Sequence, residues 1–141
     1  ATLQQEYDVE PVQAEAGVIV PEQGYLQALR KRCNECGALL IFDEIQTGFG
    51  RTGNLFGHMH FGVKPDIITV AKALGGGFPI GAVLTTHEIS RGFTYGDHGT
   101  TFGGNPLACG VAEAVVTTII NKELIENAQK QGMYLMSRLE K

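Results

Sequence analysis

Two apolar runs that each end on one ionisable residue constrain this chain more than any other feature. Leu39-Leu40-Ile41-Phe42 leads into Asp43, and Ile67-Ile68-Thr69-Val70-Ala71 leads into Lys72 with Gly75-Gly76-Gly77 behind it. Short, continuous, β-branched apolar runs bounded by glycine and polar residues have the character of buried strands in a parallel sheet. In an open α/β sheet, ligands bind outside the carboxyl ends of the strands. Alone, Asp43 is a strand-end residue capping a turn and Lys72 a solvated lysine. The two together, with the glycine-rich run behind Lys72, place an acid and an amine where a ligand would sit.

The flanking sequence fits that frame. Residues 1–8 are polar and patternless, and Val9 arrives as the stub of an apolar element. Glu10-Pro11-Val12-Gln13-Ala14-Glu15-Ala16-Gly17 is loop by its Pro and Gly, with two carboxylates close enough to serve one site. From 24 to 36, Tyr25, Leu26, Leu29 and Cys33 recur at helical spacing, with Arg30, Lys31 and Arg32 towards the C-terminal end, where the helix dipole favours cations. Gly37 stops the helix as a left-handed cap. Residues 38–42 are expected to be a strand buried on both faces, giving a helix, cap and strand as in a crossover unit. Residues 47–62 form a long irregular segment carrying Arg51, His58 and His60, and the two histidines are expected on a surface loop, not at a metal. A third strand over 80–85 is expected to return antiparallel after its short loop. Asn105-Pro106 opens a helix with cap-then-proline order and an apolar face of Leu107, Val111, Ala114, Val115 and Thr118. A last helix covers about 122–139, and because it stops without a cap the chain reads as an internal piece of a longer protein.

Composition excludes several classes. The 141 residues are 43% apolar and 18% charged, which describes a globular chain and not a disordered one. A net charge of -4 leaves no electrostatic footprint for nucleic acid. No apolar run approaches the roughly 20 residues of a membrane span, and no basic-then-apolar leader opens the chain, so the expectation is a cytoplasmic protein with no membrane partner. Cys33-Asn34-Glu35-Cys36 is formally a C-x-x-C, but it lacks a second pair for a metal. It also falls at the end of a helix, away from the helix start where thiolates are stabilised. Cys33, Cys36 and Cys109 are therefore read as free structural thiols. Gly, at 19 residues, is concentrated between Gly48 and Gly110, and it lets backbone come close to a ligand. An acid and an amine meeting beside such loops suit pyridoxal phosphate, which needs a lysine for its Schiff base and an aspartate for its pyridinium nitrogen.

Several linked motifs then carry a resemblance: Glu10-Pro11-Val12-Gln13 with Glu15-Ala16-Gly17, Asp43-Glu44-Ile45-Gln46-Thr47-Gly48-Phe49-Gly50-Arg51-Thr52-Gly53, Pro65-Asp66-Ile67-Ile68, Lys72-Ala73-Leu74-Gly75-Gly76-Gly77 and Thr101-Phe102-Gly103-Gly104-Asn105-Pro106. In order and spacing they resemble class III aminotransferases, above all the ornithine and acetylornithine group. The resemblance implies an α/β fold, a fragment of the large cofactor-binding domain of a fold-type I pyridoxal phosphate enzyme. Residues 1–120 would be the central part of that domain and 121–141 the start of the helix leading to the small C-terminal domain. It implies that Lys72 forms the Schiff base and moves the proton, and that Asp43 pairs with the pyridine nitrogen. Gln46 would contact the phenolic oxygen, and Thr101 would reach the phosphate of the neighbouring subunit's cofactor in a homodimer. Glu15 would bind substrate by pairing with an arginine that lies beyond Lys141.

The implied reaction is transfer of an amino group from an ω-amino donor of the ornithine or acetylornithine type to a 2-oxo acid such as 2-oxoglutarate. The upstream phosphate loop and ring-stacking aromatic of the family, and most of its small domain, are not in this chain. The isolated chain is therefore expected to bind the cofactor weakly and to be inactive. Two alternatives stay open: an aminomutase, racemase or decarboxylase of the same fold, and a non-catalytic piece that associates with itself.

Overall fold

A computed structural model describes residues 6–140. Its sheet has four strands in the order β1-β2-β3-β4, with β1 at Glu6–Val9, β2 at Leu39–Asp43, β3 at Ile67–Val70 and β4 at Ala82–Thr85. β1, β2 and β3 run parallel, and β4 returns antiparallel to β3 as its short connection requires. The two strands that deliver Asp43 and Lys72 are therefore neighbours pointing the same way.

β1 corrects the expectation of a patternless start: of that stretch, residues 6–8 are strand, and residues 1–5 lie outside those described. Its signal is faint because β1 is paired along one side only and its residues are largely exposed, so polar Glu6 and Asp8 are tolerated. β2 is buried on one face, not both. Leu40 and Phe42 are fully buried, whereas Leu39, Ile41 and Asp43 are half-buried. In-register partners share a face, so Tyr7 and Val9 lie on the side of Leu40 and Phe42, and Asp8 on the side of Ile41 and Asp43.

Helix α1 (Tyr25–Cys36) covers the inner face of β2 with Leu26 and Cys33, whose seven-residue spacing, two helical turns, puts both on one stripe. Gly37, at φ 70°, ends it by donating its N–H to the Cys33 carbonyl. The basic residues of α1 lie just short of the last turn and have partners there instead. Arg30 pairs with Asp66 at 2.6 Å, while Lys31 and Arg32 approach Glu35 at 3.9 and 3.8 Å. Asp66 Oδ2 also accepts the Leu40 N–H at 2.7 Å, so one carboxylate ties α1, β2 and the start of β3 together.

A second apolar cluster, Val70, Leu74 and Ala112, joins the end of β3 to helix α3 (Pro106–Asn121). Asn105 caps α3 by accepting the Ala108 N–H at 2.8 Å. The packed face of α3 is turned from the one its apolar residues indicated. Ala108 and Ala112 are buried, while Leu107 is 66% exposed. The turn after Lys72 comes close to this helix, and a Cβ on Gly76 would lie 2.8 Å from Val115 Cγ2. A short helix α2 (His87–Ser90) precedes α3, and α4 (Leu124–Leu139) follows it with no buried residue. Among the described residues, no helix is long and apolar enough to cross a membrane.

Candidate functional site

Lys72 is the first residue of a short 3-10 turn, Lys72–Gly75, that follows β3 directly. Its φ is 41°, in the left-handed region that non-glycine residues rarely occupy. Such strain costs about 1–3 kcal/mol and persists where surrounding structure holds it, as at functional sites. Val70 just before the turn and Leu74 within it are buried in the cluster with Ala112 of α3 and hold it. The exposed Lys72 side chain lines a cavity of about 520 Å³ together with Gln46, Arg51, Gly76 and Gly77. That volume lies within the range of small-molecule sites, about 300–1,000 Å³. No ion pair occupies Lys72 or Arg51 among the described residues.

Gln46 reaches the cavity because β2 ends at Asp43 and the chain turns at once: the Gly48 N–H donates to the Glu44 carbonyl at 2.8 Å. Asp43 stands at the start of this turn, half-buried, level with Thr69 of β3. Its Oδ1 accepts the Ile45 N–H at 2.8 Å, and Ile45 in turn lines the cavity, although Asp43 itself does not. Gln46 Nε2 donates to Glu15 Oε1 at 2.6 Å, which joins the 10–17 loop to the site. That loop is ordered by its own contacts. Glu10 accepts the Ala14 N–H at 3.0 Å, and Gln13 bridges Ile19. The structure thus gathers Lys72, Gln46 and Glu15, with Asp43 at the head of the same turn. Thr101 is exposed on the loop before α3 and is not among the lining residues.

Arg51 belongs to the irregular 47–62 segment and to the motif that starts at Asp43, but no sequence reading gave it a role in the site. That segment is held against α4. A Cβ on Gly50 would lie 3.0 Å from Ile125, and one on Gly53 would lie 3.1 Å from Gln129. Both glycines have positive φ, so the loop needs them on two counts.

The residue that sequence reasoning missed is Glu44, 1% exposed and acidic. Its Oε1 accepts the His58 N–H at 2.8 Å and faces His58 Nδ1 at 2.8 Å, while its Oε2 accepts the Gly57 N–H at 2.7 Å and the Thr47 hydroxyl. His58 is therefore buried, not on a surface loop as expected, because this carboxylate draws it inward. Its ring lies between Phe42 and Phe56, with centroids 5.6 and 5.7 Å away. His60 is exposed, and among the described residues no cluster of His, Cys, Asp or Glu is arranged to hold a metal ion. The only sequence signal for Glu44 was an acid directly after a buried strand, which fits a surface turn equally well.

Burial by itself would raise the Glu44 carboxyl, but hydrogen bonds from the His58 ring, Thr47 and the His58 and Gly57 amides outweigh it and hold the group below the usual range. A carboxyl depressed in the folded state stabilises fully above its unfolded pKa, and that stabilisation is lost as the pH falls through the native value. Thermal unfolding of the chain and of Glu44→Gln, followed from pH 7 downwards, should therefore show a gap in melting temperature that narrows as acid is added. A gap independent of pH would count against this account. Asp8 behaves oppositely. Burial raises its carboxyl, and the charges of Asp43, Glu6 and Glu10 add to the effect. Burial likewise pushes the Cys33 thiol up, and Cys33, Cys36 and Cys109 are all free.

Comparison with known proteins follows the same lines. The family described as aminotransferase class-III matches residues 9–141. An acetylornithine aminotransferase of Pseudomonas syringae pv. tomato is 52% identical over 132 residues, 94% of this chain and 33% of that protein. One from Methanothermobacter thermautotrophicus is 52% identical over 93% of this chain and 34% of its own length. The chain thus spans about a third of the length of these curated relatives. The ornithine aminotransferase structure from Plasmodium yoelii superposes with a TM-score of 0.91 at 46% identity, over 96% of this chain and 36% of that one. An ornithine aminotransferase structure from Toxoplasma gondii, described with partial occupancy of PLP at its active site, matches with a TM-score of 0.91 at 42% identity, over 95% and 32%.

Proposed function

This chain belongs to the class III aminotransferase family, and from that premise we propose that it forms the lysine-bearing half of a pyridoxal phosphate site for amino-group transfer. The observation that carries the reading is Lys72, held in a strained turn at the carboxyl end of β3 and facing a cavity shared with Gln46. The donor set fits the cofactor. It comprises an amine for covalent attachment, a carboxylate at the head of the adjacent turn, a side-chain amide and an open glycine wall at Gly77, where an added Cβ would meet nothing within 4 Å.

When bound, the cofactor would supply an electron sink for the charge left at the substrate carbon that bears the transferred amino group, the ω-carbon of an ornithine-type donor. The chain's own residues do the rest. Lys72 Nζ would hold the cofactor, yield its place to the donor amine and then carry the proton as general base and acid. Asp43 would keep the ring nitrogen protonated, an electrostatic role suited to a carboxylate. Gln46 would donate to the phenolic oxygen, and Glu15, hydrogen-bonded to Gln46, would lie on the substrate side. The donor is an ω-amino acid of the ornithine or acetylornithine type and the acceptor a 2-oxo acid such as 2-oxoglutarate. The working assembly is a cytoplasmic homodimer in which exposed Thr101 reaches the neighbouring subunit's cofactor phosphate.

The 141-residue chain by itself binds the cofactor weakly and does not turn over. Support comes from its open apolar surface, where Met133, Tyr134, Leu135 and Met136 of α4 are each more than half exposed. Treatment with excess pyridoxal phosphate, borohydride reduction and peptide mass analysis tests the reading. Lys72 should carry most of the adduct, and an adduct spread evenly over the chain's lysines would overturn the assignment.

A further inference from the structure

We propose that Glu44 is the positioning residue of this site, acting through His58 and Thr47 to fix Asp43 and Gln46 in place. The inference rests on the pyridoxal phosphate reading given above. Glu44 is 1% exposed and does not line the cavity, so it touches neither ligand nor reacting atoms. Every polar group it owns is nonetheless committed. Its N–H donates to the Thr69 carbonyl at 2.9 Å, which locks the turn to β3 three residues before Lys72. Its carbonyl accepts the Gly48 N–H at 2.8 Å, which closes the turn that presents Gln46. Its carboxylate takes the Gly57 and His58 amides and the His58 ring, anchoring that turn to a segment more than ten residues further on.

The neighbours are shaped around these bonds. A Cβ on Gly48 would lie 2.7 Å from the Glu44 carbonyl oxygen, and a Cβ on Gly57 would lie 2.8 Å from Thr47 Cβ and 3.2 Å from Glu44 Oε2. His58 is packed between Phe42, the residue before Asp43, and Phe56. The clamp thus grips both sides of the Asp43–Gln46 turn. It also explains why an acid is buried there at all: a carboxylate can accept from several amides and a ring nitrogen at once, which no neutral side chain of that size does.

Amide hydrogen exchange on the full 141-residue chain tests this, because the Ile45 N–H donates to Asp43 Oδ1 and so reports where the Asp43 carboxylate sits. In Glu44→Gln and His58→Phe, exchange at Ile45 and Gly48 is expected to rise about tenfold or more, while Leu40 and Phe42 in the core of β2 stay within about threefold. His58→Asn, whose amide nitrogen can replace Nδ1, should return Ile45 towards the wild-type rate. In the same variants the share of borohydride-trapped pyridoxal phosphate found on Lys72 should fall several-fold relative to the other lysines. Unchanged exchange at Ile45, or a rise shared equally by Leu40 and Phe42, would overturn the positioning role. Failure of the wild-type chain to favour Lys72 would overturn the cofactor reading instead, and it is told apart because the exchange pattern does not depend on cofactor.

Discussion

Lys72→Ala should reduce pyridoxal phosphate trapping on the Lys72 peptide to nothing and leave only the low, scattered labelling of surface lysines. Among the described residues no other lysine lines the cavity to take over. Lys72→Gly should lose the adduct equally but differ in stability. At φ 41° a side chain is strained, and glycine relieves that strain at the cost of a more flexible unfolded chain. Where strain dominates, Lys72→Gly is expected to be more stable than Lys72→Ala by about 1 kcal/mol. Urea denaturation of both variants measures the difference. Equal stabilities would mean that the turn, not the lysine, prefers this conformation, and the link between strain and function would fail.

Phe42→Ala carries the largest expected loss of stability, about 3–5 kcal/mol for truncating a fully buried aromatic. Phe42 is 0% exposed, lies against Leu26, Cys33 and Leu40, and tilts onto the His58 ring. Total stabilities of about 5–15 kcal/mol are usual for a domain, so the loss would be a large part of the whole. The variant removes the support under the Glu44–His58 pair as well as core volume. Its melting transition should therefore drop further than that of Leu26→Ala, which touches the same core from the helix side. If the two fell equally, Phe42 would be acting as core alone.

The architecture was legible where apolar patterning is strong. The strands ending at Asp43 and Lys72, the helix closed by Gly37, the antiparallel return of β4 and the Asn105-Pro106 helix start all lie where spacing and caps put them. β1 escaped because an edge strand with one partner tolerates polar residues and shows no clear period. The inner face of α3 escaped because its buried residues, Ala108 and Ala112, carry a weaker apolar signal than the exposed Leu107.

What the sequence determined by itself was the inventory and its order: a lysine after one strand, an acid after another, a glutamine soon after the acid, and glycines wherever backbone must come close. These are local facts, since each rests on a residue and its near neighbours. Only the tertiary structure decided that Gln46 meets Glu15, that Arg51 shares the Lys72 cavity, and that Glu44 and His58 form a buried pair across the loop. The reason is physical. An ionisable side chain is read as solvated until something distant satisfies it, and whether a carboxylate can be buried depends on donors that the chain brings back from far along its length.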